Sequence, residues 1–148
     1  MYPINLILDN KPCVVIGGGM VACRKIKGLI DANAKITVIA PKLNDELQIL
    51  QAENLFVWLK KSYEYGDIKN YILAICATDD EEINHLAANE AKTEHILINV
   101  VDRLPLCDFA MPAVIRRGNL LITSSTNGKS PAMAREIKRE LEDFIDRG

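Results

Sequence analysis

Residues 13–22 read Cys13-Val14-Val15-Ile16-Gly17-Gly18-Gly19-Met20-Val21-Ala22. The apolar run before the glycines predicts a strand buried on both faces, and apolar residues at helical spacing after them predict a helix over residues 20–33. The glycines and Ala22 match G-x-G-x-x-A at a strand-to-helix junction. In this pattern Gly17 permits the tight turn, Gly19 lets a pyrophosphate approach the backbone, and Ala22 lets the helix pack closely. The stretch therefore predicts a dinucleotide site at the N-terminus of the helix.

The same alternation of strand and helix continues along the chain. Further apolar, strand-like runs lie at residues 36–40, 55–59, 72–77 and 96–101, with helical patterns near 47–50 and over about 80–92. Strands that alternate with helices at this spacing indicate βαβ units and a parallel sheet. We therefore predict an α/β fold with a Rossmann-like domain over residues 1–112.

The pattern changes after Asp102. Two strand-like runs at 113–115 and 120–123 flank Gly118-Asn119 and predict a hairpin with a two-residue turn. Ser130-Pro131 supplies a helix N-cap and a first-turn proline for a helix that reaches about Asp146. One hairpin and one helix are too small to form a separate core. Residues 113–148 are therefore expected to form a homodimerisation segment; the alternative is that they fold back on their own Rossmann domain. The apolar stripe expected on this helix consists of Met133, Ile137, Leu141 and Phe144.

Composition excludes several classes of protein. The chain has 148 residues, of which 49% are hydrophobic and 26% charged, with a net charge of −2. This balance argues against disorder, and it lacks the excess of positive charge that would indicate nucleic-acid binding. No apolar run approaches the ~20 residues of a membrane span, and no basic leader begins the chain, so a soluble cytoplasmic protein is expected. We expect no metal site, since neither the four cysteines (Cys13, Cys23, Cys76, Cys107) nor the two histidines (His85, His95) form a ligand motif.

The residues leave the choice of cofactor open. The second strand of a dinucleotide-binding unit usually ends in an acid that binds the adenosine ribose. Here that position reads Ala40-Pro41-Lys42, and the next acids are Asp45 and Glu46. The usual reason to choose NAD over NADP is therefore missing, and Lys42 would favour a 2′-phosphate.

Asp102 is the candidate general base. It follows the strand-like run 96–101 at its carboxyl end, where open α/β sheets bind their ligands. The alternative is an aspartate that caps a turn. Residues 103–139 hold seven basic and two acidic residues, a local net charge of +5 that suits an anionic ligand.

A turn inside this basic segment imitates the end of a phosphate-binding P-loop. Asn127-Gly128-Lys129-Ser130 has Thr123 where that motif requires glycine. Two interpretations stay open and are compatible: Ser130 caps a helix, or the turn binds carboxylates.

The combined motifs resemble one family, the precorrin-2 dehydrogenases that form the N-terminal module of siroheme synthases. Beyond the glycine loop, which extends over residues 15–25, the similarity includes Ala77-Thr78-Asp79-Asp80 with Asn84, and Asn99-Val100-Val101-Asp102. It continues through Phe109-Ala110-Met111-Pro112-Ala113 and Ser125-Thr126-Asn127-Gly128-Lys129-Ser130-Pro131. The resemblance is collinear from about Pro3 to Glu142.

The resemblance implies a function. Family members oxidise precorrin-2 to sirohydrochlorin with NAD⁺, and some also insert Fe²⁺. It implies that Asp102 is the catalytic aspartate and that the cofactor is NAD, bound by the glycine loop and by Met20, Val21, Pro41, Lys42, Ala77 and Thr78. The candidate substrate-binding residues are Arg103, Arg116, Thr126, Lys129 and Ser130, which suit the carboxylates of the tetrapyrrole. The resemblance also implies a homodimer formed by the C-terminal segment. The rival interpretation is a regulatory Rossmann module that senses NAD(H) without turnover; Asp102 and the basic segment argue against it.

Overall fold

The computed structural model describes all residues, 1–148, and divides them into two compact units. The larger unit consists of Pro3–Phe109, and the smaller one consists of Met1–Tyr2 with Ala110–Gly148. The strands are β1 (Pro12–Ile16), β2 (Lys35–Ile39), β3 (Val57–Leu59), β4 (Leu73–Cys76), β5 (Leu97–Val100), β6 (Ala113–Arg117) and β7 (Leu120–Ser124). The helices are α1 (Met20–Asp31), α2 (Asp45–Ala52), α3 (Glu81–Glu94) and α4 (Pro131–Arg147), with a short 3-10 helix at Leu104–Leu106.

The larger unit is built on a five-stranded parallel sheet in the order β3-β2-β1-β4-β5. Alternate residues of β1 belong to two hydrophobic clusters, one on each face of the sheet. Val15 packs on the face covered by α1, whereas Val14 packs on the face covered by α3. A central strand buried on both faces explains the uninterrupted apolar run, and the predicted α/β Rossmann-like fold is confirmed.

The sheet order determines where a ligand binds. Strands β2 and β3 lie on one side of β1, and β4 and β5 lie on the other. The chain therefore leaves β1 and β4 in opposite directions, which opens a crevice at the carboxyl ends of these two strands. The glycine loop follows β1 directly.

The ends of some elements differ from the expected ones. The strand predicted at 55–59 is shorter, because the backbone bends at Leu55 and Phe56 before β3 begins at Val57. This edge strand leads into an irregular segment that extends to β4. The 3-10 helix at Leu104–Leu106 was not expected from the sequence.

The smaller unit consists mainly of the expected hairpin and helix. Strands β6 and β7 pair antiparallel, and Arg117 pairs with Leu120 across the two-residue turn. Gly118 in this turn has φ +56°, a conformation that glycine adopts without steric cost. Helix α4 packs on both strands, but only Ile115 and Ala134 are buried in this unit. No helix of the chain is both long and apolar enough to cross a membrane.

Candidate functional site

A cleft of about 700 Å³ lies at the carboxyl ends of β1, β2 and β4. Its size is within the usual range for a small-molecule or cofactor site. The glycine loop forms one wall, and residues 39–45 and 77–80 form the others, with Ser62 and Tyr63 from the segment after β3. Several predicted cofactor-binding residues line it, namely Gly17, Gly18, Gly19, Pro41, Lys42, Ala77 and Thr78.

Two of the three glycines are required by packing. Gly17 has φ +126°, and a Cβ there would lie 2.3 Å from the carbonyl oxygen of Ala77. A Cβ on Gly18 would lie 2.0 Å from the carbonyl oxygen of Lys42. The carbonyl oxygen of Gly18 also accepts a hydrogen bond of 2.8 Å from the Asn44 backbone N–H. The glycine loop therefore joins the loops that follow β2 and β4, a role that the sequence pattern did not assign to Gly18.

Gly19 differs, because a Cβ there would meet no atom within 4 Å. It is the N-cap of α1 and provides no side chain to bind the first N–H groups of the helix. The first turn also contains no acidic residue, so the positive end of the helix dipole is not neutralised. An open backbone position beside such a helix N-terminus fits the pyrophosphate of a dinucleotide.

Three predicted cofactor-binding residues do not line the cleft. Met20 is 78% exposed at the start of α1, and Val21 is half-buried. Ala22 is fully buried against the core, which agrees with its expected role in close helix packing.

The loop after β2 contributes opposite charges. Lys42 and Asp45 both line the cleft. Although β2 does not end in an acid, the first residue of α2 thus brings a carboxylate to the cleft. Trp58 fixes the end of β2, since its indole N–H donates a 2.9 Å hydrogen bond to the carbonyl oxygen of Ala40.

The loop after β4 is ordered by local hydrogen bonds. The Thr78 hydroxyl oxygen accepts from the Asp80 backbone N–H at 2.9 Å, which leaves the hydroxyl hydrogen free to donate. Asp80 caps α3 by accepting from the backbone N–H groups of Glu82 and Ile83. Asp79 and Asp80 both line the cleft.

Sequence reasoning missed a buried pair behind the cleft. The Tyr63 hydroxyl donates to Oε2 of Glu90, a fully buried residue of α3. The other carboxylate oxygen of Glu90 accepts from the Ile68 backbone N–H at 3.2 Å. Burial, together with the hydrogen bond and charge of Glu90, raises the pKa of Tyr63, so the phenol stays protonated and can donate. A glutamate in a helical pattern looks like a surface residue, so no sequence signal marked it.

Asp102 lies just beyond the carboxyl end of β5, exposed and with φ +61°. Non-glycine residues rarely adopt this left-handed conformation, although aspartate tolerates it better than most. Lys25 of α1 is near enough for charge coupling: burial and the charge of Arg24 lower the pKa of Lys25, while the Asp102 carboxylate raises it. The next residue, Arg103, forms an ion pair with Glu81 of α3. Its guanidinium is therefore engaged within the same unit.

The other predicted substrate-binding residues belong to the smaller unit. Arg116 is exposed on β6, and Lys129 is exposed in the turn before α4. Ser130 caps α4 by accepting from the Met133 N–H at 3.2 Å, and its own N–H donates to the Thr126 hydroxyl at 2.8 Å. The helix-capping interpretation of this turn is thus confirmed.

Ion pairs reduce the available charge of the basic segment. Arg117 pairs with Asp146 and Glu142, and Lys138 also pairs with Glu142. The basic residues of this segment that form no ion pair are Arg116, Lys129, Arg135 and Arg139. Cys13, Cys23 and Cys76 are buried free thiols, Cys107 is half-buried, and no group of three or more His, Cys, Asp or Glu side chains could hold a metal ion.

The sheet order, the glycine loop and the cleft together define a Rossmann-type dinucleotide-binding protein. Residues 4–113 match a family model described as "Putative NAD(P)-binding", and residues 117–143 match one described as "Sirohaem biosynthesis protein central". The chain is 36% identical over 144 residues to a siroheme synthase of Mannheimia succiniciproducens, and 38% identical over 143 residues to one of Actinobacillus pleuropneumoniae. Each match covers 97% of this chain but only about 30% of the relative.

A solved structure extends these matches. "SirC, precorrin-2 dehydrogenase" superposes with a TM-score of 0.85 at 30% identity, over 97% of this chain and 71% of that one. The chain therefore belongs to the NAD(P)-binding family of siroheme-biosynthesis proteins that includes siroheme synthases and this precorrin-2 dehydrogenase.

Proposed function

We propose that this chain is a dehydrogenase that oxidises precorrin-2 to sirohydrochlorin with NAD⁺. The observation that supports this most is the occurrence of Asp102 and the glycine-loop cleft at the carboxyl edge of one sheet. A dinucleotide site alone would suit a sensor as well as an enzyme. An exposed carboxylate at the adjoining strand end provides a base for proton transfer. The relationship to a precorrin-2 dehydrogenase supplies the substrate class.

The chemistry divides between the cofactor and the chain. When bound, NAD⁺ supplies the hydride acceptor. The oxidation removes one hydride and one proton from the macrocycle, so the chain must accept the proton. In this proposal Asp102 accepts it.

The cleft favours NAD over NADP in this proposal. Asp45 lines the cleft, so its carboxylate would repel a 2′-phosphate and would accept hydrogen bonds from the ribose hydroxyls of NAD instead. Lys42 acts in the opposite direction, and solvent screens both charges because both side chains are exposed. We expect initial rates with NAD⁺ at least about tenfold above those with NADP⁺ at equal concentration. Asp45→Asn should narrow that ratio, and Lys42→Ala should widen it.

The polycarboxylate substrate suits the basic residues. Arg116 and Lys129 form no ion pair, so both can bind carboxylates together with Thr126 and Ser130. Arg103 contributes only if its pair with Glu81 opens. We expect Arg116→Ala and Lys129→Ala to raise KM for precorrin-2 and to leave the Kd for NADH unchanged.

The smaller unit supports a homodimer. It leaves several large apolar side chains exposed, namely Met111, Val114, Leu120, Leu121, Met133 and Phe144. A second copy of the chain would bury them about a two-fold axis. The site is proposed to work in this dimer, in the cytoplasm.

The proposed reaction can be measured directly. The protein is incubated with NAD⁺ and enzymatically made precorrin-2, and the oxidised macrocycle and NADH are followed by absorbance. We expect one NADH for each macrocycle oxidised. NADH binding without turnover would instead favour the sensor. Adding Fe²⁺ to the product tests whether the chain also inserts iron, with Asp102 assisting pyrrole deprotonation.

A further inference from the structure

Strand β5 is an edge strand whose free side is covered in an unusual way. It pairs with β4 on one side only. On its other side no strand follows; residues Cys107, Asp108 and Phe109 bind it instead. We call these three residues the edge clamp.

Asp108 binds Ile98 twice. The Asp108 backbone N–H donates to the carbonyl oxygen of Ile98 at 2.8 Å, and the Ile98 N–H donates to Asp108 Oδ2 at 3.1 Å. The carboxylate therefore replaces the carbonyl group that a sixth strand would provide. The side-chain amide of Asn99 adds a third bond, because it donates to the carbonyl oxygen of Phe109 at 2.9 Å.

Cys107 binds the last residue of β5. Its sulfur accepts from the Val100 N–H at 3.2 Å, and the thiol lies 3.2 Å from the Val100 carbonyl oxygen and 3.3 Å from that of Arg103. Burial raises the pKa of this thiol, so it stays protonated and can both accept and donate.

The clamp closes the loop that carries Asp102. The chain leaves β5 at Val100, turns through Asp102 and the 3-10 helix, and returns to the same strand at Cys107. Both ends of residues 101–106 are thereby held together. A loop that contains a left-handed aspartate needs such restraint, because a free segment would relax to commoner conformations.

We propose that Asp108 and Cys107 are positioning residues that fix the Asp102 carboxylate for proton transfer. This inference rests on the proposed function, in which Asp102 is the base. Reacting groups must be held closely, and a misplacement of about 1 Å can cost ~10²-fold in rate. The alternative is that the clamp only protects a sheet edge.

The test compares Asp108→Ala with Asp108→Asn. We expect Asp108→Ala to lower kcat by about 10- to 100-fold, with the Kd for NADH changed less than about twofold. Asp108→Asn should recover most of the loss, because its amide oxygen can still accept from the Ile98 N–H. Asp31→Ala is the matched control, since Asp31 is exposed at the end of α1 and makes the same change of charge.

Cys107→Ala provides a second variant in case Asp108→Ala fails to fold. It removes the hydrogen bonds between the thiol and Val100, so kcat should again fall while the Kd for NADH stays unchanged. A normal kcat in either folded variant, or equal losses in Asp108→Ala and Asp108→Asn, contradicts the clamp as a positioning device. A wild-type protein that binds NADH but does not oxidise precorrin-2 overturns the proposed function, and the clamp proposal with it.

Discussion

Alanine at two adjacent glycines should give opposite results. At Gly18 a Cβ would lie 2.0 Å from the carbonyl oxygen of Lys42 and 3.1 Å from the Ala40 Cβ. Ordinary contact needs more than 3 Å, so the loop after β2 must move by over 1 Å. Overpacking of this kind typically costs about 1–3 kcal/mol, partly offset by about 0.4–1 kcal/mol from a less flexible unfolded chain. Because the clash at 2.0 Å is with a backbone atom, we place the cost at the upper end of this range and expect a net loss of stability of about 2 kcal/mol.

This loss of stability can be measured as a shift of the thermal midpoint, Tm. For a chain of this length, 2 kcal/mol lowers Tm by about 4–8 °C. Gly18→Ala should therefore melt earlier by that amount. The same displacement should weaken NADH binding, since Lys42 and Asn44 line the cleft.

Gly19→Ala is the matched control for stability. Its Cβ meets no atom within 4 Å, and the backbone there has φ −94°, which any residue adopts. Tm should stay within about 1–2 °C of wild type, because the change is small and exposed. NADH affinity should fall instead, because the added methyl group occupies the space needed by the pyrophosphate. Equal Tm values for the two variants would refute the packing argument. Unchanged NADH affinity in Gly19→Ala would mean that the pyrophosphate does not bind beside Gly19.

Three further perturbations test other parts of the structure. Tyr63→Phe leaves Oε2 of the buried Glu90 without its donor, so the free energy of unfolding measured with urea should fall by about 1–3 kcal/mol. An unchanged urea midpoint would mean that this hydrogen bond contributes nothing to stability. Burial raises the pKa of Cys76 from 9.0 to about 12, so the native state keeps a proton that the unfolded state releases above pH 9, and stability should decrease as pH rises from 9 toward 12. Between pH 8 and 10 under reducing conditions, the free energy of unfolding of the wild type should fall by about 1 kcal/mol more than that of Cys76→Ser. Parallel profiles of stability against pH for the two proteins would contradict this. Phe144→Glu changes a residue that is 74% exposed, so the chain should still fold and bind NADH, while light scattering should show a mass shift from dimer to the 16.5 kDa monomer; a wild type that is already monomeric and active rules out the dimer.

The features that the sequence could predict are local ones. The apolar run of β1, the glycine loop and α1 follow each other without interruption, and the β6–β7 hairpin needs only its own two-residue turn. Such patterns depend on neighbours in the chain, so periodicity and turn chemistry suffice.

Contacts between distant segments were not predictable in the same way. Tyr63 and Glu90 are 27 residues apart, and Glu90 occupies a helical position that would usually face solvent. The packing of Gly18 against Lys42 and the entry of Asp45 into the cleft depend on how the loops after β1 and β2 meet. Only the folded chain brings these segments together. The ion pairs of Arg103 and Arg117 likewise lowered the free charge that the basic segment suggested.

The role of Asp102 as the base is tested most directly by comparing precorrin-2 oxidation by the wild type and by Asp102→Asn, with NADH affinity measured for both. The substitution keeps the size of the side chain and removes its basicity. The wild type should form NADH and sirohydrochlorin in equal amounts. Asp102→Asn should bind NADH normally, but its turnover should be lower by about 10²-fold or more, the usual scale for loss of a general base. Wild-type turnover in Asp102→Asn would contradict the assignment of Asp102 as the base.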